Sequence, residues 1–195
     1  MLRALKALAA LAALQVSLLG ASAAIAASVA PLTLDQIVAG AKHIVYVRCT
    51  ANTVQADPDV GVVTITSFVV LGRAKGGEDS TFTVRQVGGE LNGLAVDYHV
   101  PKFVLGEEYV LFMPASSKLG LASPVGLSQG AFSVLPGAAG KEVGNGRDVG
   151  ELLAGTDAAN VPPRIAARLQ RGGQARSRMD LDEFMALSRA KAGTQ

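Results

Sequence analysis

The sequence predicts a mainly β fold: a small antiparallel barrel or sandwich with a short N-terminal helix and a C-terminal helical tail. Segments rich in β-branched and aromatic residues recur between residues 43 and 135 at spacings of about 8–12 residues, with Gly, Pro and Asp turns between them. That spacing favours antiparallel strands over alternating β–α units. Helix-capping patterns flank the stretch on both sides.

The composition excludes several other classes of protein. The chain has 195 residues, of which 49% are apolar, with no Trp and a single Cys. This is enough for one domain with appendages, and it excludes collagen, a coiled coil, a polytopic membrane protein and a disulfide-stapled miniprotein. One Cys and two His residues exclude a Cys/His zinc site. We predict no cofactor.

The first 26 residues predict a secretory signal peptide. A short basic segment precedes an apolar run, and Ala24-Ile25-Ala26 is an A-x-A cleavage site. We therefore expect a mature chain that begins at Ala27 and is exported to the periplasm or the medium, without stable membrane insertion after cleavage. The alternative is an uncleaved anchor, because the apolar run approaches the length that spans a bilayer.

The mature chain begins with a helix signal and continues with strands. Thr33-x-x-Gln36 is a capping box that predicts a helix of about two turns. The long second strand is expected to place four apolar side chains on one face: Val63, Ile65, Val69 and Leu71. The predicted strands cover residues 43–50 (extending to 54), 62–71, 81–87, 94–100, 103–113 and 121–135, the last as a strand pair or a bent strand.

The amino-acid composition changes after residue 136. Glycines are frequent in the next segment, so we predict a flexible linker over residues 137–160 and a basic helical tail over residues 161–195. Asp180-x-x-Glu183 predicts the start of the last helix. Residues 164–195 carry seven basic and three acidic residues, whereas the preceding mature chain is mildly acidic, which disfavours nucleic-acid binding. Residues 27–136 are expected to form a domain that does not need the tail.

No catalytic residue is predicted. Ser128 lies in a G-x-S-x-G pattern, but the nucleophile elbow needs a helix after the Ser and a later His, and no His follows His99. Asp57 and Asp59 are typical of a turn rather than a calcium loop. Cys49 is expected to be a buried apolar side chain rather than a reactive thiol.

Residues 32–134 resemble a mostly uncharacterised family of exported bacterial proteins. The matching segments are LTLDQIVAGAKHIVYVRCT, VTITSFVVLGRAKGG, TFTVRQVGGE, PKFVLGEEYVLFM and PVGLSQGAFSV. Their order is similar to that in the netrin-like, OB-type barrels of tissue metalloprotease inhibitors. The resemblance implies an OB or netrin-like barrel over residues 27–136. Those inhibitors chelate the protease zinc through an N-terminal Cys, and no Cys precedes Cys49 here, so that chemistry does not transfer.

These observations favour a non-enzymatic binding module of the cell envelope. Its partner would be another exported protein or an envelope component. OB-type barrels bind through one face and its flanking loops, which makes the loops at residues 56–61, 88–93 and 114–120 the candidate binding segments. One alternative is an inhibitor or accessory protein of an exported protease. Another is a small hydrolase that uses Ser128.

Overall fold

The computed structural model describes residues 30–171 and 177–194. Nearly all of them belong to the compact unit Pro31–Gln195. The predicted signal segment, with its cleavage site at Ala24, Ala26 and Ala27, lies outside the described residues.

The described chain consists of nine strands and four α-helices. The strands are β1 (His43–Asp57), β2 (Gly61–Lys75), β3 (Thr81–Val87), β4 (Gly89–Leu91), β5 (Leu94–Val96), β6 (Glu108–Met113), β7 (Ala131–Gly137), β8 (Gly140–Gly144) and β9 (Met179–Asp180). The helices are α1 (Leu34–Gly40), α2 (Val149–Leu152), α3 (Pro163–Arg171) and α4 (Leu181–Gly193). The mainly β fold and the C-terminal helix are therefore confirmed.

Seven of the strands form one antiparallel sheet in the order β3-β2-β1-β6-β7-β8-β9, and β4 and β5 form a separate hairpin. The register of the β1–β2 ladder shifts at three points. Such irregularities bend a strand and increase its twist. The sheet does not close, because β3 and β9 do not pair within the described part of the chain. A closed barrel therefore stays a prediction.

Both faces of the sheet are buried, because side chains along a strand alternate between its two sides. On β1, Ile44 joins a core that contains Phe112 and Phe132 and is covered by α1 and α4. Its neighbour Val45 joins a second core on the opposite face, which contains Phe68. Large apolar side chains on both sides hold the sheet between two layers of packing.

The C-terminal third differs from the sequence prediction. The expected linker over residues 137–160 contains β8, which pairs with β7 and buries Val143. It also contains α2, which buries Val149 and Leu152. The expected tail contributes β9 to the sheet and α4 to the core, where Phe184 is fully buried. These segments belong to the folded unit because each of them buries a few apolar side chains.

Capping explains where the outer helices begin. The predicted capping box of Thr33 and Gln36 is present at the start of α1. Asp180 accepts a hydrogen bond from the Glu183 backbone N–H at 3.1 Å, as expected for the start of α4. The Glu183 carboxylate instead accepts from the backbone N–H groups of Arg164 and Ile165 at the start of α3. One carboxylate therefore joins the two C-terminal helices.

Candidate functional site

The three candidate binding loops meet at one end of the sheet, around Arg85 of β3. The Arg85 guanidinium donates hydrogen bonds to the Asp57 carboxylate, in the loop at residues 56–61, and to the Leu119 carbonyl, in the loop at residues 114–120. The third loop begins at Gly88, whose N–H donates to the Val62 carbonyl at 2.7 Å. We call this region, residues 56–61, 88–93 and 114–120, the loop end.

Antiparallel pairing accounts for the convergence of the loops. The end of β1, the start of β2 and the end of β3 are adjacent, and Val63 pairs with Val87. The loop at residues 114–120 reaches this end because Ala122, which follows it, donates its N–H to the Arg85 carbonyl at 2.9 Å. Arg85 thus binds the β6–β7 connection through both its backbone and its side chain.

Asp57 also organises its own turn. Its carboxylate accepts hydrogen bonds from the backbone N–H groups of Asp59 and Val60, each at 3.1 Å. This is the turn role predicted for Asp57. Within residues 30–171 and 177–194, no group of three or more His, Cys, Asp or Glu side chains is placed to hold a metal ion.

A cavity of about 370 Å³ lies beneath the β4–β5 hairpin, next to the loop end. Its polar floor comes from β1, β2 and β3 and carries no charge. The floor residues are Asn52, Thr64, Thr66 and Gln86. Asn52 accepts a hydrogen bond from the Thr66 hydroxyl and donates one to the Phe103 carbonyl, both at 2.8 Å. These bonds hold the floor against the segment that forms the opposite wall.

The roof of the cavity depends on a close backbone approach at Gly88. Gly88 has a φ of +95°, and a Cβ there would lie 2.6 Å from the Val96 carbonyl oxygen and 3.5 Å from the Tyr98 ring. Only glycine fits such a position without displacing the hairpin. At its other end the hairpin turns through Asn92-Gly93, both at positive φ. Two large apolar side chains project to solvent here: Leu94 is 63% exposed and Tyr98 is 56% exposed.

Sequence reasoning missed the hairpin. The predicted strand over residues 94–100 is wrong beyond Val96, and β4 was not expected at all. The signal was present, since Asn-Gly between two short apolar segments is the strongest short-range pattern for a two-residue hairpin turn.

Ser128 lies at a different site. It belongs to a short 3-10 turn (Leu127–Gly130) that leads directly into β7, so a strand and not a helix follows it. The residue borders a groove of about 410 Å³ that is also lined by Phe103, Ser133 and Arg178, and no histidine lines this groove among the described residues. His43 packs against Phe82, with ring centroids 5.6 Å apart. The structure therefore does not bring Ser128 and a histidine together in this groove.

A charged cluster that the sequence did not reveal lies on β1, β6 and β8. The Glu108 carboxylate accepts hydrogen bonds from Lys141 at 2.6 Å, from Arg48 at 2.7 Å and from the Tyr46 hydroxyl. Burial opposes ionisation of this carboxyl, but the three hydrogen bonds outweigh it and lower the pKa of Glu108 to about 2. Because every member is paired within the cluster, we interpret it as structural.

Cys49 is buried, as predicted. Burial raises the pKa of its thiol, which disfavours the reactive thiolate. In the described residues, no helix is both long and apolar enough to cross a membrane.

Comparison with known proteins returns no match: no family model, no curated protein and no solved structure is significantly similar to this chain. The interpretation of the site therefore depends on its geometry and chemistry.

Proposed function

We propose that this chain is an exported, non-enzymatic binding module of the cell envelope and that its loop end contacts another exported protein. The observation that carries the proposal is the convergence of three separate loops at one end of the sheet, two of them bound by Arg85. Leu94 is exposed on the adjacent hairpin and Tyr98 just after it. Binding residues concentrate on loops that a rigid scaffold positions.

Hydrogen bonds hold the loop end in one arrangement without a partner. Arg85 donates to two of its loops, and the Gly88 N–H bonds the third loop to the Val62 carbonyl of β2. A preformed surface loses less conformational entropy on association than a mobile one. Exposed aromatic and aliphatic side chains on such a surface are typical anchors for a protein partner.

Inhibition of an exported protease is the second candidate, and the hairpin favours it. The tip is a two-residue turn at Asn92-Gly93, and Leu94 follows at once with its side chain in solvent. A rigid hairpin that presents one apolar residue has the shape needed to enter a substrate-binding cleft. In that case the purified protein would inhibit an exported protease, and Leu94→Ser would abolish the inhibition.

The netrin-like or OB-type barrel belongs to the same proposal. Support comes from the bent β1, from α1 ahead of it, and from the Ala122–Arg85 hydrogen bond, which connects β3 to the segment that follows β6. Export is proposed from the signal segment. Intact-mass analysis of the protein from its native host should give a chain that begins at Ala27. A full-length chain retained in the membrane fraction would show an anchor instead.

Partner capture tests the binding surface. The purified protein, immobilised and exposed to envelope extract, should retain a specific protein, and Leu94→Ser with Tyr98→Ser should lose it. Leu105→Ser is the matched control, because Leu105 is 65% exposed but belongs neither to the loop end nor to the hairpin and the residues that follow it. Equal capture by all variants would contradict the proposed surface. Loss of capture by the control alone would place the surface elsewhere.

A further inference from the structure

We propose that Asn92, at the tip of the β4–β5 hairpin, is a site of spontaneous deamidation, and that its isoaspartyl product opens the hairpin. This modification goes beyond the proposed protein contact and does not depend on it, since it needs no partner. It rests on two Asn-Gly pairs in one chain, Asn92-Gly93 and Asn145-Gly146, which the fold holds in opposite ways.

The reaction at an Asn-Gly pair needs water and no other co-reactant. The backbone nitrogen of the glycine attacks the side-chain Cγ of the asparagine and forms a C–N bond. Its proton passes to the amide nitrogen, which leaves as ammonia. The resulting succinimide takes up water at either carbonyl, which gives Asp or an isoaspartyl residue whose backbone runs through the side chain. Glycine favours the attack because it has no Cβ to hinder ring closure.

The hairpin leaves both reacting groups of Asn92-Gly93 free. Both residues are exposed, and their φ angles of +53° and +79° match a type I′ turn. The Asn92 side chain and the Gly93 N–H make no hydrogen bond within residues 30–171 and 177–194. No atom lies within 4 Å of the position that a Cβ would take at Gly93. The Asn92 side chain can therefore turn towards the Gly93 nitrogen without breaking a contact.

The pair Asn145-Gly146 is the internal comparison, because the same chemistry is restrained there. The Asn145 amide nitrogen donates to the Gln129 carbonyl at 2.8 Å, and its amide oxygen accepts from the Arg147 backbone N–H at 3.3 Å. Asn145 is also half-buried. Both hydrogen bonds must break before Cγ reaches the Gly146 nitrogen. Each bond slows the reaction severalfold, so we expect Asn92 to react about tenfold faster than Asn145.

The two products have different effects on the hairpin. Asp fits the first position of a type I′ turn as well as Asn does. The isoaspartyl product adds one atom to the backbone at residue 92, and the length of a hairpin turn fixes the register of its strands. Leu91 and Leu94, which flank the turn and pair with each other, then lose this pairing. Leu94, which the proposed protein contact uses, is displaced.

Peptide mass spectrometry of the purified protein, aged in heavy-oxygen water at mildly alkaline pH, measures the reaction. Hydrolysis of the succinimide inserts a solvent oxygen, so converted sites carry the label, and chromatography separates the Asp and isoaspartyl peptides. In the folded protein, Asn92 should acquire label about tenfold faster than Asn145. In guanidinium chloride, the two sites should react at similar rates. Equal rates in the folded protein, or slower reaction at Asn92, would overturn the proposal.

Two variants separate the modification from the opening of the hairpin. Asn92→Gln keeps the amide but needs a larger ring, so label at this position should disappear while Asn145 keeps its rate. Asn92→Asp represents the Asp product and should keep the hydrogen-exchange protection of the Leu94 N–H, whereas the isoaspartyl fraction of the aged protein should lose it. Full protection in the isoaspartyl fraction would refute the opening of the hairpin, and persistent label in Asn92→Gln would refute the site.

Discussion

Replacing Phe184 by Ala tests whether the C-terminal helix belongs to the core. Phe184 of α4 is fully buried, with its ring centroid 4.9 Å from that of Phe132 and 5.9 Å from that of Phe112. Substitution of a buried Phe by Ala costs about 3–5 kcal/mol, because apolar contacts are lost and a cavity remains. We expect the upper part of this range, since strands β6 and β7 fix two of the three rings and cannot collapse inward.

The loss would be a large fraction of the total free energy of unfolding, which is about 5–15 kcal/mol for a typical domain. Urea unfolding followed by circular dichroism measures it, since the chain has no Trp for fluorescence. Leu105→Ala, at a 65% exposed side chain, is the control and should stay within about 0.5 kcal/mol of the parent protein. A change below about 1 kcal/mol in Phe184→Ala would mean that α4 docks loosely, as the predicted detachable tail would.

Three further predictions concern charged and titrating groups. Because the pKa of Glu108 is lowered to about 2, its stabilisation is present above its ordinary pKa of 4.5 and is lost as the pH falls towards 2. Glu108→Gln should remove that acid-dependent step, measured by urea unfolding at successive pH values. Asp57→Asn weakens the bond to Arg85 and should lower stability by about 1–3 kcal/mol, seen as a lower melting temperature and a faster proteolytic cleavage of the loop end. Burial, together with the neighbouring cations Lys42 and Arg73, lowers the pKa of His43 in the folded state below its ordinary value of 6.5. The unfolded chain then binds the proton more readily, so the free energy of unfolding should decrease as the pH falls below 6.5. Thermal melts at successive pH values measure this decrease, and His43→Gln should abolish it.

Local signals in the sequence were sufficient for the first half of the sheet. The strand predicted over residues 81–87 coincides with β3, and the capping box identified α1. The predicted face of the second strand is only partly correct: Val63 is buried, but Leu71 is exposed and Phe68 is buried in its place. Leu71 has no partner on β1 because it stands at a register shift of the β1–β2 ladder, between Val70 and Gly72. An irregularity of this kind depends on tertiary packing rather than on the strand's own pattern.

The C-terminal third was mispredicted because its apolar side chains are sparse and its glycines are many. In β8, a strand of five residues, Val143 is the only fully buried side chain. Such a strand has no period that a sequence window can detect, and its stability comes from the neighbours β7 and β9. The predicted end of the domain near residue 136 was therefore placed where the periodicity ends, although the sheet continues.

Local sequence signals were likewise sufficient for only part of the candidate site. Turn residues identified the loops at residues 56–61, 88–93 and 114–120 one by one, but nothing in the local sequence indicated that Arg85 would bind two of them. The cavity floor was equally hidden, because Asn52 and Gln86 belong to different strands that only the folded sheet brings to the same cavity.

Because side chains alternate along the strands, the two apolar cores lie on opposite faces of the sheet. The core that contains Phe184 lies on the face covered by α1 and α4. Phe103 lies in the core on the opposite face, and it also lines the cavity next to Gln86. Substitutions at Phe184 and Gln86 have no shared partner, so their effects on the free energy of unfolding should add. A substitution at Phe103 would change both the second core and the cavity, because its ring centroid lies 5.1 Å from that of Phe68 and its side chain also lines the cavity.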